Sequence, residues 1–252
     1  MEKRMIARGL LAGAIGGVLA FVFARAFIEP VISRALDYEE SHEHAGHEHG
    51  VELFTRGVQA NIGMGFGVVA FSVAMGALFA VVYCVAYGRF GSLSPRPLSV
   101  VVAGAMFLSL YLVPVLKYPP SPPATSLEET LRQRTLLYLL MVVLSAALLA
   151  AAVYLGHRLA AQLGQWSATL IGAGFYLVAI AIVMLVMPTI DETPADFPAD
   201  VLYDFRLYSL GAQLVMWTVI GLVFASMADR LLGQPRRDVV PSQVAGGRLG
   251  QI

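Results

Sequence analysis

The stretch TLLYLLMVVLSAALLAAAVYLG, from Thr135 to Gly156, holds 22 residues and no Asp, Glu, Lys, Arg or His. About 20 consecutive apolar residues are what a helix needs to cross the hydrocarbon core of a bilayer. Five further charge-poor runs flank it, at Ile6 to Phe27, Val58 to Tyr87, Leu98 to Leu116, Trp166 to Met187 and Tyr208 to Ala228. Arg8 and Arg25 lie near the ends of the first run, where long basic side chains snorkel to the headgroups. The whole chain follows suit: of 252 residues 58% are hydrophobic and 13% charged, against about 45–50% and about 25% in a soluble domain. The expected fold is all-α, a polytopic membrane helical bundle of about six transmembrane helices. It spans 1–231, and a Gly-, Pro- and Arg-rich disordered tail follows over 232–252.

Basic and acidic residues balance at 17 each, so no global basic surface exists for nucleic acid, which is excluded as a partner. The single cysteine, Cys84, sits inside an apolar run and rules out a CxxC site or an intrachain disulfide. No G-x-x-x-x-G-K-[ST] occurs, and Gly63, Gly65 and Gly67 lie within an apolar run instead of after a strand, so nucleotide hydrolysis is excluded. No nucleophile-and-base constellation is visible, and the chain reads as a non-enzyme. The first run is too long for the core of a secretory signal, typically about 7–15 residues, and reads as a retained helix.

Orientation follows from the bases. Lys3, Arg4, Arg8, Arg89, Arg96, Arg158, Arg230, Arg236, Arg237 and Arg248 fall on the side of the termini, and six (Arg34, Arg56, Lys117, Arg132, Arg134 and Arg206) on the other. The positive-inside rule then places both termini in the cytoplasm and the chain in the inner membrane. Fourteen of the 17 acids, among them the ten from Asp37 to Glu52 and from Asp191 to Asp200, fall outside or at the outer helix ends. Such a face attracts cations and disfavours an anionic substrate, although acids also collect wherever bases are excluded.

Within the runs, Gly9-xxx-Gly13-xxx-Gly17 and Gly63-xxx-Gly67 are small-residue stripes that let helices approach closely. They do not tell a contact inside the bundle from one in a homo-oligomer. Glu29–Pro30 is expected to end the first helix, with Arg25 spaced to pair with Glu29. Pro114 is expected to kink or end the third, and Pro119 to Pro123 to be extended.

Two outer segments carry the chemistry. Four of the five histidines stand in Ser41–His42–Glu43–His44–Ala45–Gly46–His47–Glu48–His49. Imidazoles at alternate positions with interspersed carboxylates ligate divalent transition metals, so His42, His44, His47, His49, Glu43 and Glu48 are candidate ligands. A solvated loop that binds metal only opportunistically, and a pH sensor charging near neutral pH, are the competing readings. The H-E-x-x-H spacing fails twice, since Gly46 and Val51 stand where the second histidine is needed. The second segment, Pro188 to Asp200, sets Asp191, Glu192, Asp196 and Asp200 on a proline-stiffened chain, suited to oxygen ligation. Its competing reading is a turn into the sixth helix with Asp200 or Asp204 as the cap.

Several stretches together, Arg8–Gly9–Leu10–Leu11–Ala12–Gly13, Arg56–Gly57–Val58–Gln59, Val85–Ala86–Tyr87–Gly88–Arg89, Leu112–Val113–Pro114–Val115–Leu116–Lys117–Tyr118–Pro119 and Pro194–Ala195–Asp196–Phe197–Pro198–Ala199–Asp200 with Phe205–Arg206–Leu207, resemble the CbtA family of proposed cobalt transporter subunits. The resemblance runs over nearly the whole chain except the tail. It implies cobalamin-linked cobalt uptake and a small single-span, histidine-bearing companion, CbtB. The family is drawn with five spans, and the difference from six is expected to fall on the first helix or on the Pro114 helix. The expected function is a membrane subunit for uptake of a divalent cation, cobalt first and nickel or zinc as alternatives, with no resident cofactor. A nontransporting scaffold that binds metal or a partner through its outer loops is the second reading.

The ten-to-six division of bases makes a topological prediction. A reporter fused after Leu232 should report the cytoplasm, and one inserted near His47 the opposite side. Signals from one side only would mean that one of the first two runs does not cross.

Overall fold

The computed structural model describes residues 2–42, 56–89, 93–123, 125, 128–190 and 193–232, and every regular element among them is a helix. The histidine tract beyond His42, Asp191, Glu192 and the tail beyond Leu232 lie outside the described residues. Five helices are long and apolar enough to cross a membrane.

The first helix does not stop at Glu29–Pro30. α1 (Glu2–Phe23), a π turn (Ala24–Ile28) and α2 (Glu29–His42) follow one another without a break. Proline lacks an N–H, and its ring crowds the carbonyl four residues back. The wider π turn lies against that point, so the helix absorbs Pro30 instead of ending there. At 1.5 Å per residue the rod is about 60 Å long, roughly twice the hydrocarbon thickness. Its far end therefore stands clear of the membrane and carries the start of the histidine tract.

The third helix uses the same device. α5 (Pro95–Phe107) passes through a π turn (Leu108–Leu112) into α6 (Val113–Lys117), which contains Pro114. Pro114 cannot donate to the Leu110 carbonyl, and the Tyr138 hydroxyl donates to it instead, at 3.3 Å. The chain leaves the helix at Tyr118, and the prolines that follow are non-helical, as expected.

α3 (Arg56–Val58), a π turn (Gln59–Gly63) and α4 (Met64–Ala86) form the second long helix. The fourth and fifth apolar runs lie together in α7 (Glu128–Val186), 59 residues that as one straight helix would measure about 90 Å. Gly164 breaks it, with φ 78° and ψ 160°, a backbone conformation that side chains with a Cβ rarely adopt. The two arms fold back on each other: Ser145 and Tyr176 hydroxyls are 2.8 Å apart, and a Cβ on Gly172 would lie 2.9 Å from the Ala152 carbonyl oxygen. The five-versus-six difference thus falls on this hairpin, and not on the first helix or the Pro114 helix: five long helices hold six apolar runs. α8 (Ala199–Leu232) completes the chain.

α1, α4, α5 and α8 pack antiparallel around Phe79, Tyr83, Ile220 and Phe224, all buried. At one end the Arg8 guanidinium donates to the Met227 carbonyl, and Arg96 pairs with Asp229 at 2.7 Å. Arg8 therefore anchors α1 to α8, more than a snorkelling role requires. Both described chain ends lie there, so the opposite end is called the histidine end below. The α1–α4 contact is built on glycine. A Cβ on Gly17 would lie 2.9 Å from both Val69 Cα and Ser72 Cβ, one on Gly76 2.8 Å from Gly13 Cα, and Ser72 Oγ donates to the Gly13 carbonyl at 2.7 Å. The first stripe thus serves this bundle. The second does not: a Cβ on Gly67 would meet nothing within 4 Å.

Gly76→Leu should accordingly destabilise the protein by about 2–3 kcal/mol, because the obstruction is backbone that cannot yield. Gly67→Leu should leave the thermal midpoint in detergent unchanged. Equal midpoints for the two variants would show that the α1–α4 contact is looser than described.

Candidate functional site

At the histidine end the acidic proline segment packs against the protruding α2. Val31, Ala35 and Tyr38, spaced as one helical face, meet Phe197, Val201 and Phe205 in a small apolar cluster. Phe197 is the plug. Its backbone N–H closes a turn onto the Pro194 carbonyl at 3.1 Å, which directs the ring inward against Tyr38, with centroids 4.9 Å apart and planes at 72°.

Around this contact the carboxylates are engaged by protein groups. Arg34 Nη2 lies 2.7 Å from Asp204 Oδ2, and Arg34 Nη1 lies 3.4 Å from Asp200 Oδ2. Asp196 shares a side-chain hydrogen bond with Tyr38. Asp196 and Asp200 are both exposed. Two of the four carboxylates expected as oxygen ligands are therefore described, and both hold α8 to α2. Among the described residues no group of three or more His, Cys, Asp or Glu side chains is placed to hold a metal ion. Of the histidine tract, only the backbone of His42 is described, closing α2. His44, His47, His49, Glu43, Glu48, Asp191 and Glu192 lie outside the described residues.

The proline segment after the third helix forms the other half of this end. Arg134 Nη2 donates to the Pro119 carbonyl at 2.8 Å and Arg206 Nε to that of Pro120 at 3.4 Å. Tyr118 donates to the Pro188 carbonyl at 2.8 Å, and Lys117 Nζ reaches Thr189 Oγ1 at 3.3 Å. A run of prolines offers carbonyls without matching donors, and these side chains from α7 and α8 supply them. Lys117, Arg134 and Arg206, three of the six bases on this side, thus have a structural employment.

Two interactions escaped the sequence reading. A helix that ends at Glu29–Pro30 leaves Arg34 and Tyr38 in a loop. The face formed by Val31, Ala35 and Tyr38 was the signal that the helix continues. Asn61 is the other: Arg25 Nε donates to its Oδ1 at 2.9 Å, and its Nδ2 donates to the Gly57 carbonyl at 2.8 Å, so the π turns of the first two long helices are linked. No sequence rule announces a π turn in the second of them, which contains no proline.

A family model described as probable cobalt transporter subunit (CbtA) matches residues 2–229. No curated protein and no solved structure matches the chain significantly.

The Tyr38 contact has a pH dependence. Desolvation, then the hydrogen bond and charge of Asp196, raise its pKa above the ordinary 10.0. The group is neutral when bonded, so its contribution to the α2–α8 contact is complete below pH 10 and is lost as the pH climbs through the raised value. Amide protection over residues 31–42, taken relative to the base-catalysed intrinsic exchange rate at each pH, should be constant up to that point and fall above it. Tyr38→Phe should abolish the alkaline step, and a step that survives in the variant would assign it to another group.

Proposed function

Because the chain belongs to the CbtA family of probable cobalt transporter subunits, matched over residues 2–229, we propose that it is the membrane subunit of a divalent-cation uptake system, with cobalt as cargo. The family is one of transporter subunits and not of enzymes, and the chain is a multi-pass membrane protein. In this reading both termini are cytoplasmic and the protein resides in the inner membrane, as the distribution of bases supports. The rod of α1 and α2 carries the start of the histidine tract clear of the membrane, at the end of an α2 about 20 Å long. His42, His44, His47, His49, Glu43 and Glu48 there capture the cation. A tract of imidazoles binds any of cobalt, nickel or zinc, so it concentrates ions without choosing among them.

The observation that carries the proposal is the joining of the two outer segments. α2, which leads into the tract, is held at Arg34 and Tyr38 to the acidic segment of Asp196 and Asp200. A cation released from the tract meets carboxylates at the base of the same rod. Asp191, Glu192, Asp196 and Asp200 receive it, and a divalent ion competes there with the Arg34 guanidinium for the same oxygens. A small single-span companion of the CbtB kind completes the complex, consistent with the word subunit in the family's description.

The second reading, an accessory scaffold that binds metal or a partner without transporting, is favoured by one observation. The described acids of this segment, Asp196, Asp200 and Asp204, bind protein groups, and among the described residues no group of three or more His, Cys, Asp or Glu could hold a metal ion.

Cellular cobalt accumulation separates the two. Replacing His42, His44, His47 and His49 with alanine should lower uptake about tenfold at submicromolar cobalt, the low end of what a charged capture site adds, and saturating metal should restore it. Asp196→Asn and Asp200→Asn should impair uptake even at saturation. Arg34→Gln is the control, since it frees the carboxylates while removing their ion pair. If it reproduces the aspartate variants with equal loss of protein from the membrane, these acids are structural and the scaffold reading prevails.

A further inference from the structure

Arg25 stands exposed at the seam between the first two long helices. Its Nε donates to Asn61 Oδ1 at 2.9 Å, and Asn61 is fixed in turn by the Gly57 carbonyl. The bond at Nε sets the plane of the guanidinium. It leaves over the two Nη groups, which form no hydrogen bond or ion pair among the described residues. Glu29, one turn on and spaced to pair with Arg25, is instead buried and makes its contacts elsewhere. Along the rod Arg4 and Arg25, both exposed, are about 30 Å apart, the thickness of the hydrocarbon core. Arg4 therefore meets the headgroups of one leaflet and Arg25 those of the other.

Below Arg25 the seam is apolar and faces lipid. A Cβ on Gly65 would lie 3.3 Å from the Phe21 ring, so the line of contact runs from Arg25–Asn61 to Phe21–Gly65. The two helices are antiparallel, and the residue that follows each contacting residue falls on the same side of the seam in both. Those residues are Val22, Ile62 and Phe66, exposed by 58%, 68% and 76%. The opposite side is closed, since Ala20 and Ala24 are buried. The open side is thus an apolar strip in the hydrocarbon, capped at its headgroup end by two aligned cationic donors.

The geometry points to a phospholipid held at this seam, its phosphodiester received by the two Nη groups of Arg25 and an acyl chain lying along Val22, Ile62 and Phe66. A snorkelling arginine reaches headgroups in general. One whose Nε is pinned presents a fixed two-donor edge, which a pair of phosphate oxygens matches. Free phosphate shares that chemistry but not the apolar strip. A helix of a second copy would cover the strip but would seal the guanidinium away from the headgroups, at the cost of a desolvated charge.

Photo-cross-linking of the full-length protein tests this, with benzoylphenylalanine replacing Phe66, in bilayers that mix phosphatidylglycerol and diacylglycerol of the same chains. Mass spectrometry should find the phosphatidylglycerol adduct enriched about tenfold over the supplied ratio, the scale of one charge-assisted contact. The same probe replacing Ile182, exposed within the charge-free run from Trp166 to Met187, should return the supplied ratio. Millimolar inorganic phosphate should leave the enrichment unchanged. Arg25→Gln should erase it and Arg25→Lys should keep part of it. Arg25→Gln also loses the Asn61 bond, a loss that Asn61→Leu measures with the charge intact, and there about threefold enrichment should remain. The protein with Arg25 intact decides even where Arg25→Gln fails to fold. No enrichment at Phe66, equal enrichment at Ile182, abolition by phosphate, a cross-link to a second copy, or a loss in Asn61→Leu as deep as in Arg25→Gln would each overturn the assignment.

Discussion

The close approach of α1 and α4 is the contact on which the rest of the bundle rests. In hydrocarbon, lipid tails are as apolar as leucine, so helices gain nothing by merely hiding apolar side chains from the solvent around them. Association must come from packing density and from polar groups paired across the interface. Gly9, Gly13 and Gly17 on one helix and Gly76 on the other bring the two backbones together, and Ser72 adds a buried hydrogen bond to the Gly13 carbonyl. α8 then lies against α1, where a Cβ on Gly16 would sit 3.2 Å from the Met216 carbonyl oxygen, and α5 lies against α8 through Ser99 and Gly221. Each helix finds its neighbour by the same small-residue logic.

Proline plays a different part than its reputation suggests. Pro30 and Pro114 stand just beyond π turns, and at both places the helix continues. A water-free environment makes a stray carbonyl expensive, so a helix that can keep its bonds by local widening does so in preference to stopping. The outcome at Pro30 has functional weight. Had the first helix ended there, the histidine tract would begin at the membrane surface, with no rod for Arg34 and Tyr38 to occupy. Instead α2 projects, and the acidic segment before α8 has a rigid partner to dock on.

α2, which leads into the histidine tract, and the acidic segment before α8 are therefore mechanically one unit. Its carboxylates at Asp196, Asp200 and Asp204 are bound to Tyr38 and Arg34. An exposed ion pair of this kind contributes about 0–1 kcal/mol, weak enough for a divalent ion to displace. The proline segment after α6 stays outside this exchange, since Arg134 and Arg206 are spent on its carbonyls.

By itself the sequence determined the fold class, the six apolar runs and the non-helical proline segment. These depend on composition over a window of residues, and the bilayer converts such composition into helices with few alternatives. Only the tertiary structure decided that Gly13 serves the bundle while Gly67 faces open space, because a glycine stripe reads the same in either case. Only it showed that Gly164 folds two runs into one hairpin, a backbone reversal invisible to hydropathy. The use of Asp196, Asp200 and Asp204 was equally hidden, for a carboxylate is spoken for only once the partner has a position. Arg34 stands 166 residues from Asp200, and the continuation of a helix past Pro30 is what brings them together.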